Sequence, residues 1–399
     1  MNAPRILHVT EAMGGGTAAA IAEFARSTPQ YEHHLLGRLR PGSETATAAD
    51  FAASHAAGRG LPGLARALRR AVAAVRPAVV HLHSSWAGLV GRLALAPGGP
   101  AIAYTPHCFA FERDPATTPP GFVRLARRAE RFLAGRTALA VCVSPREAEL
   151  AAGLGLAAVH VPNTTRVRSP RAHHAVPVSG VVMAHDAAAV RGVVMAHDAA
   201  AVSGVVMAHH GAAVSGVVMA HDAAAVPGVV TVGRVGAQKD PLFLLRVKEL
   251  VAVEADWTWV GGGDPGLEEH LRAHGVTVTG WRPPDEVGER LARADAYLHT
   301  AAWESCPLAL LEAGAAGLPL VARSIPALDS LGLDPTLVTP ELVAAELDLV
   351  LRTGQATRPR LQEAFAARHT PQAQAAALTE AYEWLLDTAV HTTALAGAR

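Results

Sequence analysis

The sequence predicts an α/β protein of two doubly wound halves, each a parallel sheet wrapped by helices. Three observations carry that expectation. Short β-branched or apolar runs alternate with Ala-, Leu- and Arg-rich helical stretches, the pattern of parallel sheets covered on both faces. The runs form two series separated by a repetitive segment. The length, 399 residues, suits two or three domains at about 150 residues each, every one able to bury its own core.

In chain order, strands are expected at 5–10, 33–39, 79–83, 101–105, 139–143 and 159–162, completing one unit. A second series starts near Val229 and continues through Trp257, Val276, Ala296 and Leu318. The expected boundaries are 1–175 for the first domain, 176–228 for a linker and 229–374 for the second domain, with a helix at 375–399 returning to complete the first. Within the linker, residues 179–228 hold four copies of a twelve-residue unit typified by SGVVMAHDAAAV, then the fragment PGVV. Tandem duplication of coding sequence accounts for that identity, and the segment marks the hinge. Its His-Asp pairs, such as His185 with Asp186, recur at twelve-residue spacing without cysteine or further carboxylate support, so no metal site is expected there.

The stretch 295–321, DAYLHTAAWESCPLALLEAGAAGLPLV, reads as strand, turn, helix and strand. Pro307 is expected at the first helical position with Ser305 or Cys306 as the cap, and Gly317 as the stop. The first amides of such a helix have no internal partner and, with the dipole, favour bound phosphate. Ser305, Cys306, Pro307 and Leu308 are therefore candidate phosphate contacts. Glu304 and Glu312 sit beside that site, and a carboxylate there is tolerable only opposite hydroxyls or a cation, so both are expected to accept sugar or ribose hydroxyls. Upstream, TVGRVGAQKDP places Arg234 and Lys239 after a strand ending at Gly233, and VGGGD places Gly261 and Gly263 after the next. Glycines there permit close backbone approach.

In this order and spacing these motifs resemble the nucleotide-sugar half of the GT-B glycosyltransferases, specifically glycosyltransferase family 4. The matching residues are Gly233, Arg234, Lys239, Gly261, Gly263, Gly280, Glu304, Glu312, Ala313, Gly317 and Pro319. The resemblance implies two Rossmann-like domains facing a cleft, with the repeat inserted at the interdomain linker. It implies a retaining glycosyltransferase that moves a sugar from a UDP- or GDP-sugar to a sugar or lipid-linked acceptor, in polysaccharide or glycolipid synthesis. Arg234 and Lys239 would face the donor diphosphate, Glu304 the transferred sugar and Glu312 the ribose; no bound cofactor or metal is implied. Two other readings share the cleft: a nucleotide-sugar epimerase of the same fold, and a binding protein without turnover.

In the first domain MGGGT follows the opening strand and precedes a helix expected from Ala18, without G-x-G-x-x-G spacing, so a dinucleotide site is not expected. Under the resemblance Gly15 and Gly16 face the cleft, and YTPHC places His107 near the transferred sugar. Pro162 and Asn163 resemble the family element that ends this domain, with Thr164 where a glycine is usual. His81 and His83 share one strand face, yet two histidines alone do not make a metal site.

Arg124, Arg127, Arg128, Arg131 and Arg136 follow a helix whose apolar side is expected to be Phe122, Leu125, Ala129, Phe132 and Leu133. A solvated basic face is one reading. Docking on anionic lipid is the other, and it applies equally to Arg66, Arg69, Arg70 and Arg76. Lys plus Arg and Asp plus Glu are equal at 35 each, which gives no pull toward nucleic acid. Three widely spaced cysteines predict neither a disulfide framework nor a zinc site. With no leader-like N-terminus and no apolar run near the ~18 residues of a membrane span, a cytoplasmic protein is expected, peripheral at the inner face of the membrane at most.

Overall fold

The computed structural model describes residues 3–11, 13–38, 50–114, 117–165 and 226–397, together with four two-residue strands between 182 and 220. The first sheet contains β1 (Arg5–Val9), β2 (Glu32–Gly37), β3 (Ala53–Ala56), β4 (Val79–His83), β5 (Ala101–Thr105), β6 (Leu139–Cys142) and β7 (Ala158–His160). Its strand order is β3-β2-β1-β4-β5-β6-β7, parallel throughout. β3 is absent from the sequence expectation because its ASHA stretch has no β-branched or aromatic residue and lies at the sheet edge, half-exposed.

Four short strands lie in the repeat: β8 (Val182–Met183), β9 (Met195–Ala196), β10 (Val206–Met207) and β11 (Met219–Ala220). They pair in parallel, β8 with β10 and β9 with β11, so these two-residue strands pair between alternate copies of the unit. The repeat's His-Asp pairs lie outside the described residues.

The second sheet, β12 (Gly228–Val232), β13 (Asp256–Val260), β14 (Val276–Val278), β15 (Ala296–His299) and β16 (Leu320–Ala322), runs in the order β14-β13-β12-β15-β16, also parallel. In both sheets the chain reverses direction of winding beside the first strand, between β1 and β4 and between β12 and β15. Crevices at such switch points, beyond the carboxyl ends of the strands, are where open α/β sheets bind ligands.

An apolar junction joins the two halves: Ile6, Val79, Val141 and Val161 share one buried cluster with Tyr297, Leu310, Leu328 and Tyr382. Polar ties reinforce it, including Ser144 Oγ with Ser305 Oγ at 3.2 Å and Asn163 Nδ2 donating to Cys306 O at 3.0 Å. Thr164 is buried and donates its hydroxyl to His369 O at 2.9 Å; its backbone needs no glycine conformation, which explains the departure from the family pattern. The long helix Pro371–Gly397 crosses back onto the first sheet, with Gln374 accepting from Ser27 Oγ at 2.9 Å and Tyr382 set edge-on to Tyr31.

Three local expectations are corrected. The helix after β15 is Leu308–Ala315, so Pro307 is its cap and Ser305 and Cys306 precede it, their side chains turned into the interdomain junction. The first helix is Gly15–Ser27 rather than one opening at Ala18. On the arginine-rich helix Phe122–Leu133 the inward residues are Val123, Ala126, Glu130 and Leu133, whereas Leu125 is 67% and Phe132 78% exposed, so both project among the arginines. The cause is Glu130, whose carboxylate turns inward to pair with buried Arg92 at 2.8 Å and accept from Tyr104 Oη at 3.0 Å, which rotates the helix. Among the described residues no helix is long and apolar enough to cross a membrane.

Candidate active site

In the second half, the loop after β12 is built by mutual packing of glycine turns. Gly233 has φ 152° and Gly261 φ 139°. A Cβ on Gly261 would lie 2.1 Å from Gly233 O, and one on Gly263 2.0 Å from Val235 O, so these glycines admit a neighbouring loop where the sequence suggested a ligand. Trp259 Nε1 donates to Gly233 O at 2.8 Å and fixes the pair of loops.

That packing aims Lys239 at Glu304, with Nζ 2.5 Å from Oε1 and both side chains at most 15% exposed. Thr300 Oγ1 donates to Lys239 O at 2.6 Å, and Ala302 N to Gln238 O at 2.9 Å, so the two loops that carry the ion pair are clamped together. Arg234 projects from the same loop and is exposed. Next along, Asp240 caps the helix Pro241–Leu250 and pairs with Arg323 at 2.8 Å. The helix Leu308–Ala315 presents its amino end beside Glu304, and Gly317 (φ 76°) closes its far end with Leu318 N donating to Ala313 O at 3.1 Å. Glu312 lies one turn inside. Crowding by protein pushes its carboxyl up to about 7, and among the described residues no hydrogen bond or ion pair reaches it, although its surface stays partly open. A carboxylate so placed is set to accept from hydroxyls.

In the first half, Ser84 (φ 85°), His107 (φ 50°) and Cys108 (φ 82°) follow β4 and β5 in backbone conformations that side chains rarely adopt. Such strain gathers at functional sites and persists only where neighbours enforce it. At Cys108 it is Glu147 that enforces it: one oxygen accepts from Cys108 N at 2.7 Å and the other from Val143 N at 2.8 Å. Burial lifts Glu147 to about 7 and drops His107 to about 4, so His107 is neutral. His107 Nε2 lies 3.1 Å from His83 Nδ1. Gly15 (φ 55°) and Gly16 open the first helix, exposed, with no atom within 4 Å of where their Cβ atoms would be, and that helix neighbours Leu308–Ala315. The site residues expected from sequence thus gather at the carboxyl ends of both sheets.

Sequence reasoning misses Glu147, His8 and His33. A serine-proline-arginine-glutamate run after β6 is the signal for Glu147, since Ser144 accepts from Glu147 N at 3.1 Å as a helix cap. His8 is the third histidine that the strand pair His81 and His83 lacks; its ligand atom falls within 4.8 Å of theirs, because β1 sets His8 against His81 in register.

A family model for Glycosyltransferase Family 4 matches residues 14–164, and one described as Glycosyl transferases group 1 matches residues 226–353. This chain belongs to glycosyltransferase family 4. As a GT-B enzyme it aligns over 96% of its length with all of the sucrose-phosphate synthase from Thermosynechococcus elongatus, at TM-score 0.70 and 15% identity. It aligns over 96% of its length with all of HepE from Anabaena, crystallised in complex with UDP, at TM-score 0.64 and 14% identity. The lipopolysaccharide outer core galactosyltransferase WaaB, in its apo form, matches 98% of this glycosyltransferase with 99% of its own chain, at TM-score 0.56 and 15% identity. No curated protein matches the sequence significantly.

Proposed function

We propose that this glycosyltransferase is a retaining enzyme that transfers a hexosyl group from a nucleoside-diphosphate sugar to a hydroxyl acceptor. The observation that carries the reading is the clamped Lys239–Glu304 pair beside a helix amino end, with the Glu312 carboxylate, unpartnered among the described residues, one turn further in. A departing nucleoside diphosphate needs preorganised positive charge, and Lys239, Arg234 and the backbone N–H groups of Ser305, Cys306 and Leu308 supply it. The diphosphate competes with Glu304 for Lys239, which frees Glu304 for the hydroxyls of the transferred sugar. Glu312 takes the ribose hydroxyls. Gly233, Gly261 and Gly263 act indirectly, by letting the loops that hold Lys239 stack. His107 reaches the sugar from the opposite wall, and Gly15 and Gly16 keep the first helix end open to it.

The donor carries UDP or GDP; the UDP held by HepE, a protein of the same fold, favours trying UDP-sugars first. The domain boundaries follow the same reading, with 1–175 and the returning helix on the acceptor side, 176–228 as the hinge and 229–374 on the donor side. Exposed Leu125 and Phe132 among Arg124, Arg128 and Arg131 form a face that docks on an anionic membrane and suits a lipid-linked acceptor in polysaccharide or glycolipid synthesis.

The test is nucleotide release from a panel of UDP- and GDP-sugars with and without acceptor, followed by proton NMR of the product anomer. Transfer requires the acceptor and retains the donor's configuration. Release without any acceptor identifies the epimerase reading, donor binding without release the binding-protein reading, and an inverted anomer rejects retention.

A further inference from the structure

Beneath His107 the first sheet carries a row of buried histidines whose nitrogens meet end to end. His107 Nε2 lies 3.1 Å from His83 Nδ1, His83 Nε2 lies 2.9 Å from His8 Nδ1, and His8 Nε2 lies 2.9 Å from His33 Nδ1. The row ends where His33 Nε2 lies 2.9 Å from Thr28 O and 3.1 Å from Thr28 Oγ1.

That end fixes the direction of the whole row. A carbonyl oxygen only accepts, and the Thr28 hydroxyl has already donated its hydrogen to Phe24 O at 2.9 Å, so His33 Nε2 must be the donor. A neutral imidazole has one donor and one acceptor, which leaves His33 Nδ1 to accept from His8 Nε2. The same step repeats through His83 to His107. Burial, reinforced by neighbouring rings, holds His8, His33 and His83 below the ordinary histidine range, as neutrality of each ring requires. The last nitrogen is His107 Nδ1, a bare lone pair to which no hydrogen bond is made among the described residues.

Beside the row, His81 obeys the same rule. Thr105 Oγ1 gives its hydrogen to Val141 O at 2.7 Å, so it accepts from His81 Nε2 at 2.8 Å, and Tyr382 Oη donates to His81 Nδ1 at 2.9 Å. Every ring nitrogen of His8, His81 and His83 is thereby committed to a hydrogen bond, and the cluster is filled without a metal ion.

We propose that His33, His8 and His83 are positioning residues that relay the polarity of the Thr28 carbonyl to His107, locking it as the Nε2–H tautomer with Nδ1 turned out as a hydrogen-bond acceptor for a substrate hydroxyl. The substrate part rests on the proposed transferase reading; the tautomer part does not.

The experiment is a long-range proton–nitrogen NMR spectrum of the full-length protein labelled with ¹⁵N-histidine, at neutral pH. His33, His8, His83 and His107 should all show the proton on Nε2. An Nδ1-protonated ring at any of the four breaks the row and overturns the proposal, and needs no variant. His33→Leu removes the acceptor at the anchored end. It should leave His83 and His107 as mixed tautomers and lower kcat roughly three- to tenfold, the worth of one hydrogen bond, with donor affinity unchanged. Tyr382→Phe, which removes only the hydroxyl that donates to His81 Nδ1 and keeps the ring, should leave the four tautomers as they are. Unaltered His107 tautomer in a folded His33→Leu protein would overturn the relay. So would stoichiometric zinc binding that shifts the His8, His81 and His83 rings together. A shifted tautomer with unchanged kcat would keep the relay and reject the hydroxyl contact, and so locate the fault in the transferase reading.

Discussion

At the scale of single residues the site rests on a few charged groups held by their neighbours. Lys239 is mostly buried, clamped through its own carbonyl by Thr300 and paired with Glu304. Replacing Lys239 or Arg234 by Ala removes charge-assisted hydrogen bonds worth about 1.5 to 3 kcal/mol, so turnover should fall by about one to two orders of magnitude in a steady-state assay with donor and acceptor. Full turnover in both variants would place the diphosphate elsewhere. These residues are legible in the sequence because loop, glycine turn and helix start follow one another at fixed spacing. His8 and His33 are not, because their roles depend on strand register, which brings residues far apart in the chain into one row.

At the scale of elements the glycine turns and the arginine-rich helix separate what sequence does and does not reveal. The sequence marks Gly16 and Gly263 alike, but in the structure Gly263 is pressed against Val235 O and Gly16 faces open space. Gly263→Ala should therefore lower the melting temperature by several degrees and lose donor binding with it. Gly16→Ala should raise stability by about 0.5–1 kcal/mol and impair turnover alone; unimpaired turnover would show that the first helix end touches no ligand. For Phe122–Leu133, helical periodicity assigns Leu125 and Phe132 to the core, and the inward Glu130 overrides it by pairing with Arg92. Cosedimentation with anionic vesicles should weaken about fivefold for each of Arg124, Arg128 and Arg131 changed to Ala, about 1 kcal/mol apiece, and should be lost in Leu125→Glu with Phe132→Glu. Equal binding to neutral vesicles would contradict the docking face.

At the scale of the whole molecule, two parallel sheets meet at an apolar junction, and the twelve-residue repeat falls between them in the sequence. The alternation of runs makes both sheets legible from sequence; the junction is not, since it is formed by residues from both halves. Deleting residues 191–226 leaves one copy of the unit joined in phase to Pro227. It also removes the partner strand of Val182–Met183. Loop entropy changes by roughly 1 kcal/mol or less, so a soluble protein of similar melting temperature with equal or higher activity is expected. A melting temperature lower by well over ~8 °C would show that the repeat packs into a core. The raised Glu312 carboxyl links this architecture to function. Because the folded chain keeps that proton between the ordinary value of 4.5 and about 7, this group's contribution to stability declines as pH rises across that window. Its ability to accept ribose hydroxyls grows over the upper part of the same window, as the carboxylate forms. The most direct test of the donor site is therefore calorimetric titration of UDP and GDP into the wild-type protein and Glu312→Gln across that range. One nucleotide should bind the wild type more tightly as pH rises through about 7, beyond any change seen in Glu312→Gln, which should bind more weakly above it. Superimposable profiles for the two proteins would contradict the assignment of Glu312 and, with it, the placement of the donor.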